Sequence, residues 1–320
     1  SSESRGLGDV YKRQGSGCAT CDTPKRAGRA ENNVANQSGP SRIRRLAMPE
    51  LPEVETVRRA LVPALENRQV ATAHVGRPDL RWPLPENLAA RLTGRRFGGL
   101  RRRGKFLLLP LDGDETMLMH LGMSGSVRLH DRQPEIGKHD HMVLQMDGAA
   151  GPGWVVFNDP RRFGWIDLFS GPTHPMIADM GPEPLGNMFS ADTLSDGLAA
   201  RRGPIKTALL DQRLVAGIGN IYACEALHGA GLSPRRRAYT IRGQRAERLA
   251  DAIRSVLARA IEDGGTSLRD HVQPGGEIGY FVQRLSVYGR AGQPCHECGT
   301  PIRSLVQSGR SSFYCPDCQR

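Results

Sequence analysis

The pattern of apolar and polar positions divides the chain into stretches of different character. Residues 1–47 are rich in Ser, Gly, Arg and Asn, and their apolar positions follow a period of neither 2 nor 3.6. This composition indicates a disordered or non-native extension, such as translated sequence upstream of the true start. After residue 48, Val54, Val57 and Leu61 recur at intervals of three and four, which predicts an amphipathic helix.

Residues 69–170 contain short apolar segments separated by Gly, Pro and Asp, the pattern of an antiparallel sandwich or barrel. The predicted strands are Phe106–Leu111, Met117–Leu121, His141–Met146, Trp154–Phe157 and Trp165–Phe169. The second half is predicted to be helical, and its apolar segments are Leu209–Leu214, Ile221–Leu227 and Arg242–Asp263.

These changes of pattern predict the domain boundaries. A linker rich in Gly-Pro and Pro is expected between the two halves. The predicted regions are an extension over 1–47, a β-sandwich domain over 48–170, the linker over 171–190, a helical domain over 191–284 and a Cys-bounded module over 285–320.

The charge of the chain indicates a polyanionic partner. The formal net charge is +11, and residues 1–47 hold nine Lys/Arg against four Asp/Glu, or +5. The remaining 35 basic and 29 acidic residues still give +6, so the excess does not depend on the extension. Ribosomal or membrane-surface binding fits the same charge. No run of about 18 apolar residues exists and no secretory h-region is present, so a cytoplasmic protein is expected.

Four cysteines near the end of the chain have the spacing C-x2-C-x16-C-x2-C. Four thiolates on two facing knuckles can close a tetrahedral zinc site that leaves no position open for catalysis. One structural Zn²⁺ is therefore predicted, and a redox dithiol pair is the alternative. The predicted ligands are Cys295, Cys298, Cys315 and Cys318. A further pair, Cys18 and Cys21, has no second pair nearby and is not expected to bind metal.

Three other polar segments each have a plain structural explanation beside a functional one. The Gly-rich segment 215–222 can hold phosphate at the N-terminus of the next helix, with Asn220 as a further donor, or can simply allow close packing. The basic strings 101–105 and 159–163 can be a solvated surface, although Phe163 beside two arginines fits a wedge in a base stack. His139 and His141 flank Asp140, where phosphate contact or surface polarity is favoured over metal binding.

The segment that follows Met48 begins Pro49-Glu50-Leu51-Pro52-Glu53. A proline at a chain start is a secondary amine that can attack a sugar C1′ and form a Schiff base, with a neighbouring carboxylate to move the proton. The structural alternative is an ordinary helix start with Pro and Glu in its first turn.

From Met48 to its end, the chain closely resembles the formamidopyrimidine-DNA glycosylases, also called bacterial 8-oxoguanine DNA glycosylases. The motifs that carry the resemblance occur in order: MPELPEVETVRR, RRRGKFLLL, HLGMSG, GKHDH, NDPRRFG, MGPEPL, IKTALLDQ with VAGIGNIYACEAL, GGTSLRD, and the Cys-bounded module with GRSSFYC. The resemblance implies a two-domain α+β fold. A β-sandwich with flanking helices is expected to be followed by a helix–two-turn–helix and a zinc finger, with damaged duplex DNA in the cleft.

The resemblance also implies roles for individual residues. Pro49 is expected to be the nucleophile, Glu50 the proton donor that opens the sugar ring, Lys105 an aid to β-elimination and Arg310 an aid to δ-elimination. The DNA contacts implied are His139, Arg161, Arg201, Lys206 and Asn220, with Met123 and Phe163 filling, beside Arg161, the space of the flipped nucleotide. Arg202 is an alternative to Arg201, because the family usually has lysine at that position.

Two departures from the family pattern matter. The family nucleophile is a free N-terminal amine, whereas 48 residues precede Pro49 here, so either translation starts at Met48 or the chain as written is inactive. The base-recognition loop carries Gly275, Gly276 and Glu277, where the family varies, and this leaves the lesion preference open. A monomer without a nucleotide cofactor is expected.

Two alternatives remain. The endonuclease VIII branch acts on oxidised pyrimidines but usually begins PEGPE, whereas this chain has PELPE. A zinc-ribbon protein that binds damaged DNA without catalysis needs no terminal proline.

Overall fold

The computed structural model describes residues 48–148, 151–266 and 280–320. The predicted extension over 1–47, the Cys18 and Cys21 pair, and the loop with Gly275, Gly276 and Glu277 lie outside the described residues. In the part of the chain that is described, no helix is both long and apolar enough to span a membrane.

The predicted first helix is confirmed as α1 (Leu51–Leu65). The three apolar positions Val54, Val57 and Leu61 are at most 1% exposed and pack into the core of the N-terminal domain. Pro52 is accommodated because it lies in the first turn, where a missing backbone N–H breaks no helical hydrogen bond. Burial of this apolar stripe therefore sets the orientation of α1 on the core and the position of its N-terminal end.

Eight strands form two four-stranded antiparallel sheets among the described residues of the first half. The strands are β1 (Val70–Val75), β2 (Arg101–Arg103), β3 (Phe106–Pro110), β4 (Glu115–His120), β5 (Ser126–His130), β6 (Asp140–Met146), β7 (Trp154–Asn158) and β8 (Trp165–Ser170). Their order is β1-β6-β7-β5 in one sheet and β2-β3-β4-β8 in the other. Each of the five predicted strands is confirmed to within a few residues.

The sandwich core lies between these sheets and α1, and a short helix, α2 (Leu88–Leu92), covers one side. Alternate residues of β3, such as Leu107 and Leu109, are fully buried, as the period of a strand requires. Burying each such side chain contributes about 1.5–3 kcal/mol. A rigid apolar core thus supports the loops at the ends of β2, β4 and β7, which carry most of the polar motifs.

The second half is helical, as predicted. Its helices are α3 (Pro175–Ala178), α4 (Ala191–Ala199), α5 (Ile205–Leu209), α6 (Asn220–Gly229) and α7 (Gln244–Glu262), with short 3₁₀ turns at Ala238–Thr240 and Phe281–Arg284. The long segment expected over Arg242–Asp263 is confirmed by α7, and the segment expected at Ile221–Leu227 lies within α6.

The expectation of a helix over Leu209–Leu214 is wrong. Helix α5 ends at Leu209, and turns follow. The Asp211 side chain accepts from the backbone N–H of Arg213 at 3.0 Å, and the Gln212 side chain accepts from that of Gly217 at 2.8 Å. These local bonds replace helical ones, because short polar side chains compete with the helix for backbone donors.

The C-terminal module is a hairpin of β9 (Arg303–Gln307) and β10 (Arg310–Tyr314) between the two cysteine pairs. The turn between the strands is made by Ser308 and Gly309, both of which have positive φ angles. The turn places Arg310 at the first position of β10, close to the N-terminal end of α6.

Candidate active site

The N-terminal ends of α1 and α6 meet, and the Glu50 carboxylate lies between them. Its oxygens accept hydrogen bonds from the backbone N–H groups of Gly219 at 2.7 Å, Ile221 at 2.8 Å and Tyr222 at 3.4 Å. A Cβ atom at Gly219 would lie 2.3 Å from Glu50 Cδ, so only glycine allows this approach. We call this set of four residues the floor of the site.

Glu50 is 2% exposed, and burial raises the pKa of its carboxyl to about 7. The positive charge of Lys105 acts in the opposite direction, and the neighbouring Glu53 adds to the rise. The backbone N–H bonds favour the ionised form, but they do not outweigh the loss of water. A carboxyl whose pKa lies near 7 can both give and take a proton at neutral pH.

Glu53 supports this arrangement from below. Its carboxylate accepts from the Tyr222 hydroxyl at 2.6 Å, from both N–H and hydroxyl of Thr266 at 2.8 Å, and from the N–H of Glu50 at 2.9 Å. The sequence analysis assigned Glu53 only to the helix start. Its long-range partners, more than 160 residues away, left no local pattern by which it could have been recognised.

Pro49 is buried beside Glu50, and its nitrogen forms a peptide bond with Met48. Met48 itself lines the cavity described below. The proline thus lies between two residues that line the cavity, but its nitrogen is an amide with no free lone pair while Met48 is attached.

Lys105 lies in the two-residue turn between β2 and β3, where Arg103 pairs with Phe106. Burial and the nearby Arg310 lower the pKa of Lys105, while Glu50 opposes this change. Gly104 has a φ of +55° and its position is close to Met180, so the turn needs a glycine.

Two of the three arginines in the 101–105 string are structural, whereas Arg101 is exposed. Arg102 forms ion pairs with Glu55 at 3.2 Å and with Glu183 at 2.8 Å, and Arg103 pairs with Glu183 at 3.2 Å. Glu183 also accepts from the N–H of Gly104 at 2.6 Å. This carboxylate, which lies in the predicted linker, fixes the turn that presents Lys105.

A cavity of about 770 Å³ brings together predicted residues from distant parts of the chain. Those that line it are Glu50, Lys105, Met123, Arg161, Asn220 and Arg310. The cavity also contains His120, which the sequence analysis did not single out. Burial, together with the charges of Lys105 and Arg81, lowers the pKa of His120 to about 4, so its ring is neutral at pH 7.

Lys206 and Asn220 are joined in a chain of hydrogen bonds to the hairpin. The ammonium group of Lys206 donates to Asn220 Oδ1, and Asn220 Nδ2 donates to the carbonyl of Ser311 at 2.9 Å. Lys206 is 0% exposed, and burial lowers its pKa. In this structure, therefore, both residues hold Arg310 and its strand against α6.

Met123, Arg161 and Phe163 form the rim of the site, beside a second cavity of about 550 Å³. Phe163 is 39% exposed, and the Arg161 guanidinium lies 4.7 Å from the centre of its ring. Arg161 Nη1 is buried and has no hydrogen-bond partner among the described residues.

The loop that carries the rim is folded around Asp159, which is fully buried. Its carboxylate accepts from the Ser124 hydroxyl at 2.5 Å, from the N–H of Gly164 at 2.6 Å and from that of Arg161 at 3.3 Å. Asp159 thus positions the backbone of the rim, and it leaves the side chain of Phe163 exposed and that of Arg161 half-buried.

The remaining predicted DNA contacts lie outside these cavities. His139 is half-buried just before β6. The ring Nε2 of the nearby His141 forms a hydrogen bond with the carbonyl of Asp159 at 2.8 Å. Arg201 forms an ion pair with Asp211 at 2.9 Å, whereas Arg202 is exposed and stacks on Tyr239.

The four cysteines of the C-terminal module form a group whose sulfur atoms all lie within 4.8 Å of one another. The distances between sulfurs are 3.9 Å for Cys295 and Cys318, and 3.4 Å from Cys298 to both Cys315 and Cys318. Tetrahedral zinc with Zn–S bonds of about 2.3 Å separates its sulfurs by about 3.8 Å. The residues fit one structural zinc, and the cysteines are not joined in disulfides.

Three family models match in the order that the sequence motifs imply. They are the formamidopyrimidine-DNA glycosylase N-terminal domain over residues 48–166, the formamidopyrimidine-DNA glycosylase H2TH domain over 180–272, and a zinc finger found in FPG and IleRS over 292–320. A formamidopyrimidine-DNA glycosylase of Jannaschia sp. is 54% identical over 286 residues, which cover 85% of this chain and 100% of the relative. One of Cereibacter sphaeroides is also 54% identical, with the same coverage.

The chain belongs to the formamidopyrimidine-DNA glycosylase family. Similar solved structures agree with this assignment. The MutM (Fpg) protein of Thermus thermophilus is 41% identical with a TM-score of 0.76, over 85% of this chain and 98% of that one. The Lactococcus lactis Fpg bound to DNA with an abasic site is 33% identical with a TM-score of 0.75, over 85% and 99%.

Membership confirms the fold and the enzyme class that the sequence analysis predicted. The family's enzymes are DNA glycosylases of base excision repair, and lyase activity is typical of them. The single structural zinc is confirmed as the metal that the four cysteines fit.

Proposed function

We propose that this protein removes oxidised purines from duplex DNA through a Schiff base at Pro49, and cuts the abasic strand by β,δ-elimination. The observation that carries the proposal is the Glu50 carboxyl, whose pKa of about 7 arises in a cavity shared with Lys105 and Arg310. A site for binding alone gains nothing from a buried carboxyl that changes its protonation near neutral pH.

The chemistry begins with the lone pair of the Pro49 nitrogen, which forms a bond to C1′ while the bond from C1′ to the base breaks. The base leaves with the electrons of that bond and takes up the proton that the amine loses. The freed lone pair on nitrogen then expels the ring oxygen O4′, giving an iminium. Until the ring opens the base can return, so completed excision depends on this second step. Glu50 supplies the proton that O4′ takes, which opens the sugar. The two steps need an uncharged amine and a protonated carboxyl at the same pH, and burial of Glu50 favours the latter.

Lys105 and Arg310 both line the cavity and are proposed to hold the phosphates on either side of the extruded sugar. Each elimination removes a carbon-bound proton as a phosphate leaves, first the C2′ proton with the 3′ phosphate and then the C4′ proton with the 5′ phosphate. Glu50, ionised once it has protonated O4′, is proposed to accept the first of these protons. Cations placed at each leaving group stabilise the developing negative charge. Lys206 and Asn220 are proposed to act mainly by holding the hairpin that carries Arg310.

The rim is proposed to fill the space that the nucleotide leaves. A base in a duplex cannot be reached at C1′ without extrusion, and extrusion leaves a gap in the stack. Phe163 and Met123 offer apolar surface for that gap, and the unpaired Arg161 Nη1 offers a hydrogen-bond donor. His139 and Arg201, or the more exposed Arg202, are proposed to contact the backbone further out.

The lesion class rests on the relatives. A single-residue mutant of the Lactococcus lactis Fpg has been crystallised with DNA containing Fapy-dG, and the wild-type protein with DNA containing an oxidised pyrimidine. We propose oxidised purines as the main substrates. Excision of oxidised pyrimidines is the second candidate activity, to be measured beside excision of purines.

The active form is proposed to begin at Pro49. The matched relatives align over their whole length with 85% of this chain, and the family model starts at residue 48. Removal of Met48 gives the free secondary amine that the reaction needs. We further propose the domain boundaries given above, a monomer that acts on damaged duplex DNA in the bacterial cytoplasm, and no nucleotide cofactor.

Trapping with borohydride tests the proposal, because reduction of an iminium leaves a covalent protein–DNA adduct. Protein that begins at Pro49 should give an adduct with an 8-oxoguanine duplex and less with a thymine glycol duplex, and none with undamaged DNA. Tighter binding to the two damaged duplexes than to undamaged DNA, without an adduct, would instead identify a damage-binding protein.

A further inference from the structure

A histidine outside the zinc module lies against one of the four cysteine ligands. His228, in the last turn of α6, places Nε2 3.6 Å from Sγ of Cys295. A zinc-bound thiolate has no proton, so it can only accept a hydrogen bond. The direction is therefore fixed: the imidazole carries hydrogen on Nε2 and donates it to sulfur.

We propose that His228 is a positioning residue of the zinc site, which retains the metal and fixes the first cysteine knuckle on the helical domain. Four thiolates around Zn²⁺ leave a net charge of −2, and hydrogen-bond donors to sulfur disperse it. The N–H of Cys318, which donates to Cys315 Sγ at 3.5 Å, comes from the module itself. His228 adds a donor from outside it.

The position of His228 is set by the way α6 packs against the module. Near its start, Asn220 donates to the Ser311 carbonyl at 2.9 Å. In the next turn, Glu225 accepts from the N–H groups of residues 286–288 at 2.8–3.0 Å. His228 follows three residues later, so Glu225 and His228 lie on one face of α6, and Asn220 adds a contact near the start of the helix.

This arrangement has a consequence for zinc retention. Groups that hydrogen-bond to metal ligands change metal affinity by about 10–100-fold when they are removed. The helical domain should therefore determine how long the module keeps its zinc, although all four ligands belong to the module.

Three variants of the full chain test the proposal. His228→Phe keeps a ring of similar size and removes the donor, while His228→Gln keeps an N–H donor at a similar reach. The matched control is His296→Phe, the same change at an exposed histidine next to Cys295. Zinc release to a chromogenic chelator is followed in time, and the charge-transfer band of the Co²⁺-loaded protein is recorded.

We expect His228→Phe to release zinc about 10–100-fold faster and to move the thiolate-to-Co²⁺ band to lower energy. His228→Gln and His296→Phe should stay within a few-fold of the parent protein. Unchanged release in His228→Phe would overturn the proposal. Release from His228→Gln as fast as from His228→Phe would also overturn it, since ring packing would then be the cause. Co²⁺ spectra of His228→Gln keep the test decisive if the Phe variant does not fold.

Discussion

The floor and the rim of the active site are built in opposite ways. At the floor, the Glu50 carboxylate is buried and accepts three backbone N–H bonds, and it is held between the ends of two helices. At the rim, Phe163 is 39% exposed and Arg161 keeps a buried nitrogen without a partner among the described residues.

The difference shows which task each part performs. A group that moves protons must already have its pKa when the substrate arrives, so its surroundings are complete in the free protein. A group that replaces a base in a stack finds its partners only in DNA, so its surface is left unsatisfied beforehand. Changes at the floor should therefore affect chemistry, and changes at the rim should affect binding.

The largest expected effect comes from freeing or blocking the Pro49 nitrogen. Protein that begins at Pro49 should form the borohydride-trapped adduct with 8-oxoguanine DNA, whereas the intact chain, and a chain that keeps only Met48, should bind but form none. The measurement is adduct yield on a denaturing gel, with the N-terminal residue verified by mass spectrometry. An adduct from the verified intact chain would point to a lysine nucleophile, with Lys105 the first to test.

Glu50→Gln should reduce base excision by about 10²–10⁴-fold, the usual contribution of a positioned acid or base. The loss should be smaller on DNA with a ready-made abasic site. Single-turnover rates on the two substrates check this, with duplex affinity as the control. Equal losses on both substrates would remove Glu50 from the excision step.

Cys315→Ser should abolish retention of zinc and leave the sandwich and the helical domain folded, because the metal provides most of the stability of so small a module. Arg310 then loses its support, so strand cutting and DNA binding should weaken while the floor stays intact. Elemental analysis should find one zinc per chain in the parent protein. Parent protein that is purified without chelator and holds no zinc would refute the metal assignment.

The pKa of Glu50 predicts how excision depends on pH. The donor must be protonated, so the excision rate should fall about tenfold per unit as the pH rises above about 7. Lys105 lowers this pKa, so Lys105→Met should move the alkaline limb to higher pH. Single-turnover profiles from pH 6 to 9 measure both. If the alkaline limb of the pH–rate profile has the same midpoint in Lys105→Met, a group other than Glu50 determines that midpoint.

The smallest effect is expected at the rim. Arg161→Ala should weaken duplex binding by roughly fivefold and lower the salt slope by about 1 if the cation contacts phosphate. The rate of excision from saturated complexes should change little. Arg248→Ala, at an exposed arginine of α7 that lines neither cavity, is the matched control. A large fall in the saturated rate with unchanged affinity would reverse the division between floor and rim.

Most elements of the fold and the chemistry of the metal site can be predicted from local patterns in the chain. Period-2 and period-3.6 patterns identified strands and helices, since burial of one face dictates those periods locally. The spacing of the four cysteines identified the zinc ligands because each pair of ligands comes from residues only three positions apart in the chain. The prediction of a helix over Leu209–Leu214 was wrong, because the Asp211 and Gln212 side chains accept hydrogen bonds from nearby backbone N–H groups.

Which polar residues line the cavity and which stabilise the scaffold depends on contacts between distant segments of the chain. Arg102, Arg103 and Lys105 are cationic residues of the same short string. Glu55 and Glu183 form ion pairs with the two arginines, whereas Lys105 lines the cavity. The pKa of Glu50 likewise depends on its burial and on hydrogen bonds from backbone N–H groups about 170 residues away in the chain. Burial and charge pairing act between segments distant in the chain, so no local pattern contains them.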